Sequence, residues 1–191
     1  MESNFAKSIS RLTDFSDSEI QVIESLLTKK TILAKTQLVP YNSKTDEIFI
    51  IEKGCIRKYS IKDGQEITIF IVVEGQFAVE YVSFMSGGHS QNILETIEDC
   101  EVLVLKKKDL ETLYFSVPKM NEVMRKILEN VLLETQTMLN EFIMFSPEQR
   151  YINLLKKKSY LLNRIPQHII ASYLGISATS LSRIRKRVSK K

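Results

Sequence analysis

The chain of 191 residues is 43% apolar and 26% charged, with a net charge of +4 and two cysteines. This is the composition of an ordinary globular protein of one or two domains. No apolar run approaches the ~20 residues of a bilayer span, and Met1 to Arg11 lacks the apolar stretch of a secretory leader, so a cytoplasmic protein with no membrane partner is expected.

The net charge conceals a division. Gln149 to Lys191 carries 11 Lys+Arg and no Asp or Glu, which leaves 16 basic against 23 acidic residues over Met1 to Glu148. The basic part expects a polyanion, and the acidic part should be repelled by one. Cys55 and Cys100 lie far apart without a partner at metal-ligand spacing. They read as small buried hydrophobes, and an iron–sulfur cluster would want about four thiolates.

Ser16 to Thr28 predicts a short amphipathic helix capped by Ser16, with Asp17 and Glu19 in its first turn. From Lys30 the period changes. Residues 31–39, 47–52, 55–61, 67–73, 77–82, 92–97 and 101–105 are apolar runs separated by turn signals, Lys62-Asp63-Gly64 the strongest of them. Short strands at this spacing, with no helix between them, predict an antiparallel barrel or jelly roll. A short helix follows over Lys106 to Ser116.

Pro118 opens a long helix to about Phe145. Met124, Val131, Met138 and Phe145 recur every seven residues, and Leu128, Thr135 and Phe142 form a second row. Leu132 and Leu139 flank them. This is a coiled-coil-like seam with Thr135 as its one imperfection. Packing within the helix's own domain is the alternative, and the width of the stripe favours a dimer seam. Ser146-Pro147-Glu148 caps and restarts a helix to about Lys158.

Arg164 to Arg187 predicts two short helices around a tight turn. Ile169, Ile170, Tyr173 and Leu174 form the apolar face of the first, and Gly175 supplies the corner. Ser177 caps the second, whose Leu181, Ile184 and Val188 point inward. This is the pattern of a helix-turn-helix, whose second helix enters the major groove. The expected DNA-facing set is Gln167 and His168, then Ser177, Ala178, Thr179, Ser180, Ser182, Arg183, Arg185 and Lys186, and Lys190 beyond. Arg183 is the base-reading candidate. Arg185, Lys186, Arg187, Lys190 and Lys191 are assigned to phosphates, which give affinity without sequence information.

The strand-rich N-terminus, the long helix and the helix-turn-helix together resemble the Crp/Fnr superfamily of bacterial transcription regulators, nearest to its effector-unassigned members common in Bacteroidetes. The resemblance is carried by Phe77-Ala78-Val79-Glu80-Tyr81-Val82-Ser83-Phe84, Asp109 to Tyr114, Ser146 to Tyr151, and above all Ile170 to Lys186. It implies an α+β architecture. A cyclic-nucleotide-binding-like β-roll sensor (1–117) is followed by a dimerisation helix (118–145) and a winged-helix-like helix-turn-helix with a reduced wing (146–191). The seam would comprise Met124, Leu128, Val131, Leu132, Thr135, Met138, Leu139 and Phe142. A homodimer would bind a near-palindromic operator in double-stranded DNA, with RNA polymerase as a further partner.

The resemblance also implies an effector pocket, lined here by Phe77, Glu80, Tyr81, Phe84, His89, Ser90, Gln91 and Asn92. The cyclic-AMP-binding members place an Arg-Ser pair on their phosphate loop. This chain has Ser90-Gln91-Asn92 and no arginine between Arg57 and Arg125, so cyclic AMP is not expected, no cofactor is assigned, and an unknown small-molecule effector stays open. The reading helix departs as well, with Ala178 and Thr179 where many such members carry Arg and Glu. Two rival readings remain. A cupin-like metal enzyme would need histidines gathered in the roll, and only His89 lies in that half, so no enzyme is expected. A C-terminal domain that binds protein instead of DNA sits poorly with its acid-free basic charge.

Overall fold

The computed structural model describes Phe5 and residues 9–189. Helix α1 (Asp17–Ser25) begins in a reciprocal cap: the Glu19 amide donates to the Ser16 hydroxyl, and the Ser16 amide donates to the Glu19 carboxylate. This ties off two of the donors that any helix start leaves unpaired.

Eight strands follow: β1 (Thr28–Ile32), β2 (Gln37–Val39), β3 (Glu47–Lys53), β4 (Ile56–Lys62), β5 (Gln65–Val72), β6 (Phe77–Ala78), β7 (Ile93–Thr96) and β8 (Cys100–Lys106). They form two four-stranded sheets, ordered β1-β8-β3-β6 and β2-β7-β4-β5. The β1–β8, β3–β8, β3–β6, β2–β7 and β4–β7 ladders are antiparallel. Alternate residues of a strand point to opposite faces, so each strand can turn one row of side chains into the roll. The expected Asp-Gly turn is present, with φ 52° at Asp63 and 73° at Gly64.

The sheets separate two cores. Inside lie Val39, Phe49, Ile51, Ile56, Ala78, Leu94, Cys100, Val102 and Val104. The alternate residues of β3 and β8, Ile48, Ile50, Leu103 and Leu105, face the other way. They pack with Phe5, Ile9, Ile23 and Phe84, and with Leu110 and Leu113 of α3 (Lys107–Ser116). Both cysteines are buried and unbridged.

Two expected strands differ. The run 31–39 is broken into β1 and β2, with a left-handed Lys35 (φ 60°) in the turn. The run 77–82 keeps only β6; at Tyr81 a helix begins, α2 (Tyr81–Ser86). Its cause is Glu80, whose carboxylate accepts from the Ser83 amide at 2.8 Å and caps the turn. A local side-chain bond of this kind outweighs the strand preference of Tyr-Val-Ser-Phe.

After α3 comes the long helix α4 (Lys119–Met144), then α5 (Pro147–Lys157), α6 (Ser159–Arg164), α7 (Gln167–Tyr173) and α8 (Ala178–Val188). The sequence pattern did not separate α6 from its surroundings. The described chain divides into two compact units. One runs to Ser60 and resumes over Phe70–Glu129; the other comprises Ile61–Ile69 and the chain from Asn130 onward. The division passes through α4, and it assigns the tip of the β4–β5 hairpin to the same unit as the C-terminal helices.

Candidate nucleic-acid interface

The C-terminal unit is built around α7 and α8. Ile169, Ile170, Ala171, Leu174, Leu181 and Ile184 are buried, with Tyr151, Leu154, Leu161 and Ile165 from α5, α6 and the turn after it. Burying these apolar faces fixes which side of α8 is left outward. Ser177 caps α8 by accepting from the Ser180 amide (3.2 Å), and its hydroxyl donates to that of Ser180 (3.0 Å). Those two serines are therefore engaged with each other at the helix start.

The outward face of α8 carries Ala178, Thr179, Ser182, Arg183, Arg185 and Lys186, all exposed, as are Gln167 and His168 at the start of α7. These expected DNA-facing residues are thus all accessible. Lys190 and Lys191 lie outside the described residues. Arg183 also lines a cavity of about 420 Å³ with Ser146, Pro147, Glu148, Ile176, Ser180, Ile184 and Arg187.

Arg150 sets the corner between the helices. It donates through Nε (3.2 Å) and Nη2 (3.0 Å) to the Leu174 carbonyl and through Nη1 to the Phe145 carbonyl (2.8 Å), and its guanidinium lies 4.8 Å from the centre of the Phe142 ring. One cation thereby satisfies the end carbonyls of both α4 and α7, where helices have unpaired acceptors. Gly175 completes the corner at φ +67°, and a Cβ there would stand 2.9 Å from Phe142 Cε1. Tyr173 is pushed to a higher pKa by burial and then by the nearby charges of Glu141 and Glu134.

Within this unit the β4–β5 tip is bonded to a hydroxyl of α7. Ser172 Oγ accepts from the Thr68 amide at 2.8 Å and donates to the Glu66 carbonyl at 2.7 Å. It thus takes the place of a neighbouring strand on the edge of β5.

The expected seam on α4 is largely exposed: Leu128 43%, Val131 50%, Leu132 60%, Leu139 50% and Phe142 41%. Thr135 and Met138 are half-buried. The Thr135 hydroxyl donates to the Val131 carbonyl at 2.7 Å, which silences the polarity that made it look out of place. Two members have further tasks that the heptad pattern does not reveal. Met124 packs on the core outside the sheets, and Phe142 packs on Gly175 and Arg150.

The eight residues expected around an effector are not gathered on one surface. Phe77 and Phe84 belong to the core outside the sheets, where Phe77 meets Phe5 edge-on. Ser90 is buried in a loop staple, its hydroxyl donating to the Pro40 carbonyl and its amide to the Ser43 carbonyl. Tyr81, His89 and Gln91 are exposed. Glu80 is fully buried: besides capping α2, it accepts from Asn92 Nδ2 at 3.1 Å and pairs with Lys58 at 3.2 Å. Burial alone would raise its pKa, but the Ser83 amide, the Asn92 amide and the Lys58 ammonium together hold it below the ordinary value.

On the other face of the same sheet, Arg57 binds Glu95 through Nε (3.0 Å) and Nη2 (2.7 Å) and lies 4.0 Å over the Tyr59 ring. The register places Arg57, Glu95 and Gln37 side by side. Among the described residues no group of three or more His, Cys, Asp or Glu is arranged to hold a metal ion, and no helix is long and apolar enough to cross a membrane.

Residues 29–116 match the family model described as Cyclic nucleotide-binding domain. No curated protein matches the chain. Among solved structures, the chain is similar to the c-di-GMP-responsive global regulator CLP of Xanthomonas campestris (16% identity, 92% of each chain, TM-score 0.73). It is similar as well to a CooA mutant from Carboxydothermus hydrogenoformans (15% identity, all of this chain and 86% of that one, TM-score 0.73). A third is FixK2 from Bradyrhizobium japonicum (15% identity, 86% of this chain and 85% of that one, TM-score 0.72). The fold is therefore a cyclic-nucleotide-binding roll followed by a long helix and a bundle of short ones. The chain shares this arrangement of elements with those three solved structures.

Proposed function

We propose that the chain is a sequence-specific DNA-binding transcription regulator that acts as a homodimer, with α8 in the major groove. The observation that carries this reading is the outward face of α8: Thr179, Ser182, Arg183 and Lys186 stand exposed on a helix held from behind by Leu181 and Ile184. Arginine at such a place suits the guanine edge, while threonine and serine accept or donate to several bases. The apolar stripe from Leu128 to Phe142 is the surface for a second copy. Pairing there would set two α8 helices against half-sites about one DNA turn, ~34 Å, apart. RNA polymerase is then the further partner through which bound regulator acts. The three parts are the roll over 1–117, the dimerisation helix over 118–145 and the reading head over 146–191.

The roll would act as the sensor, for an effector other than cyclic AMP. A buried cyclic phosphate wants a charge-assisted partner, and Arg57, the one arginine within the roll's strands, is committed to Glu95 and Tyr59. Glu80, closed on Lys58 and Asn92, adds a negative charge that an anionic ligand would meet unfavourably.

Selection of bound sequences from random double-stranded DNA tests the reading. The expected result is an enriched, two-fold related motif protected as a pair of half-sites. Recovery of no motif, with binding that does not change between low and high salt, would overturn it. Calorimetric titration with cyclic AMP is expected to show no heat of binding.

A further inference from the structure

Glu148 is the only carboxylate in the chain from Ser146 onward. It sits in the first turn of α5, whose start is capped by Ser146. Its Oε2 accepts from both Nε (3.0 Å) and Nη2 (2.9 Å) of Arg187. Arg187 and Arg183 are four apart on α8, so they share one side of that helix, and both line the same cavity as Glu148. The pair is partly open to solvent, with side-chain exposures of 59% for Arg187 and 27% for Glu148.

We propose that Glu148 withholds Arg187 from DNA and so makes Glu148 a positioning residue that limits how strongly one reading head binds by itself. This rests on the reading that α8 meets DNA. A phosphate could recruit Arg187 only by displacing a carboxylate that already takes two of its donors. Exchange of one anion for another releases little counterion from the DNA, and counterion release drives phosphate contacts. Arg187 therefore leaves the phosphate-contacting set that sequence assigns to the end of the helix, while Arg185 and Lys186 remain in it and Arg183, four residues earlier, keeps its base-reading place. A head held to modest strength favours sites where two heads engage at once, because the second contact is then made at high effective concentration.

The test uses the full chain and a mixed-sequence duplex, with affinity measured between about 50 and 200 mM salt. E148Q is expected to steepen the dependence of log affinity on log salt by about 0.9 for each head, the slope of one added phosphate contact. E148A serves as the second variant, because a glutamine oxygen can still accept from Arg187. E148A/R187Q is expected to return to the wild-type slope. Unfolding midpoints confirm that each variant is folded. If neither E148Q nor E148A alters the slope of a wild type that binds, the role of Glu148 is overturned and the reading head stands. If the slope steepens but E148A/R187Q stays steep, the carboxylate acts only by repelling DNA, and the proposal fails. A wild-type chain that binds no duplex overturns the reading of the head, and this proposal with it.

Discussion

Two arginines show how differently the roll and the C-terminal helices handle charge. Arg57 lies in the roll with 5% of its surface exposed, bonded twice to Glu95 and stacked on Tyr59. Arg183 lies on α8 in the open, among neighbours of the same sign. In the first case burial must be offset by a partner, and the pair becomes part of the architecture. In the second the cation keeps its water until something more negative arrives. The contrast teaches where substitutions should act: in the roll on stability, and on the outer face of α8 on recognition.

The largest expected effect is in the roll. Glu80→Ala removes the cap of α2 and leaves Lys58 and Asn92 without the carboxylate they share. Breaking a buried ion pair from one side costs about 3–5 kcal/mol. Denaturant unfolding should show that loss. A loss below about 1 kcal/mol, the range of exposed pairs, would mean that the cluster is not structural and would reopen the roll as a polar ligand site.

Gly175→Ala comes next and tests the corner inside the C-terminal unit. The left-handed backbone costs a residue with a Cβ about 1–2 kcal/mol, and the new methyl group would press on Phe142. The unfolding midpoint should fall, and DNA affinity should fall by more than that stability loss explains, because the corner angle places α8. Unchanged DNA binding in a destabilised variant would show that the corner serves stability alone.

How much of this was legible beforehand follows from whether the signal is local. The Asp63-Gly64 turn, the Ser16 cap and the Ser146-Pro147 start were visible because each is a short-range rule in which side chain and backbone meet within three or four residues. The inward and outward faces of α8 were visible because helical spacing sorts them. Helix α2 was not: Tyr81, Val82 and Phe84 suit a strand, and only the reach of Glu80 back to Ser83, secured by Lys58 from another strand, turns the segment. The placement of Phe77 and Phe84 outside the sheets was equally hidden, since period two says that neighbours diverge but not which of them faces inward. Ion pairs between residues far apart in sequence, such as Glu148 with Arg187 or Arg57 with Glu95, leave no spacing to read.

On the outer face of α8 the effects are smaller and differ in kind. Arg183→Ala should relax preference at one base pair of each half-site by about 1–3 kcal/mol. Lys186→Ala should weaken all duplexes alike and make the salt dependence shallower by about 0.9 per head. Selection experiments combined with salt titration distinguish them. Identical behaviour of the two variants would erase the division between base reading and phosphate contact.

The smallest effect is the acid response, and it separates the two regions again. The Ser83 amide, Asn92 and Lys58 outweigh the cost of burial and hold the Glu80 carboxyl below its ordinary range. Unfolded, the same group takes up a proton at the usual value of about 4.3. Its contribution to stability is therefore full above that value and is lost as the pH falls through the lowered folded value. Glu80→Gln does not titrate, so the stability gap between wild type and this variant should narrow in acid, beginning at about pH 5. Denaturant unfolding at stepped pH measures that gap. A gap that stays constant through the acid range would show that Glu80 takes up its proton at the same pH folded and unfolded, so that the Ser83 amide, Asn92 and Lys58 would give the charged carboxylate no net advantage over its cost of burial.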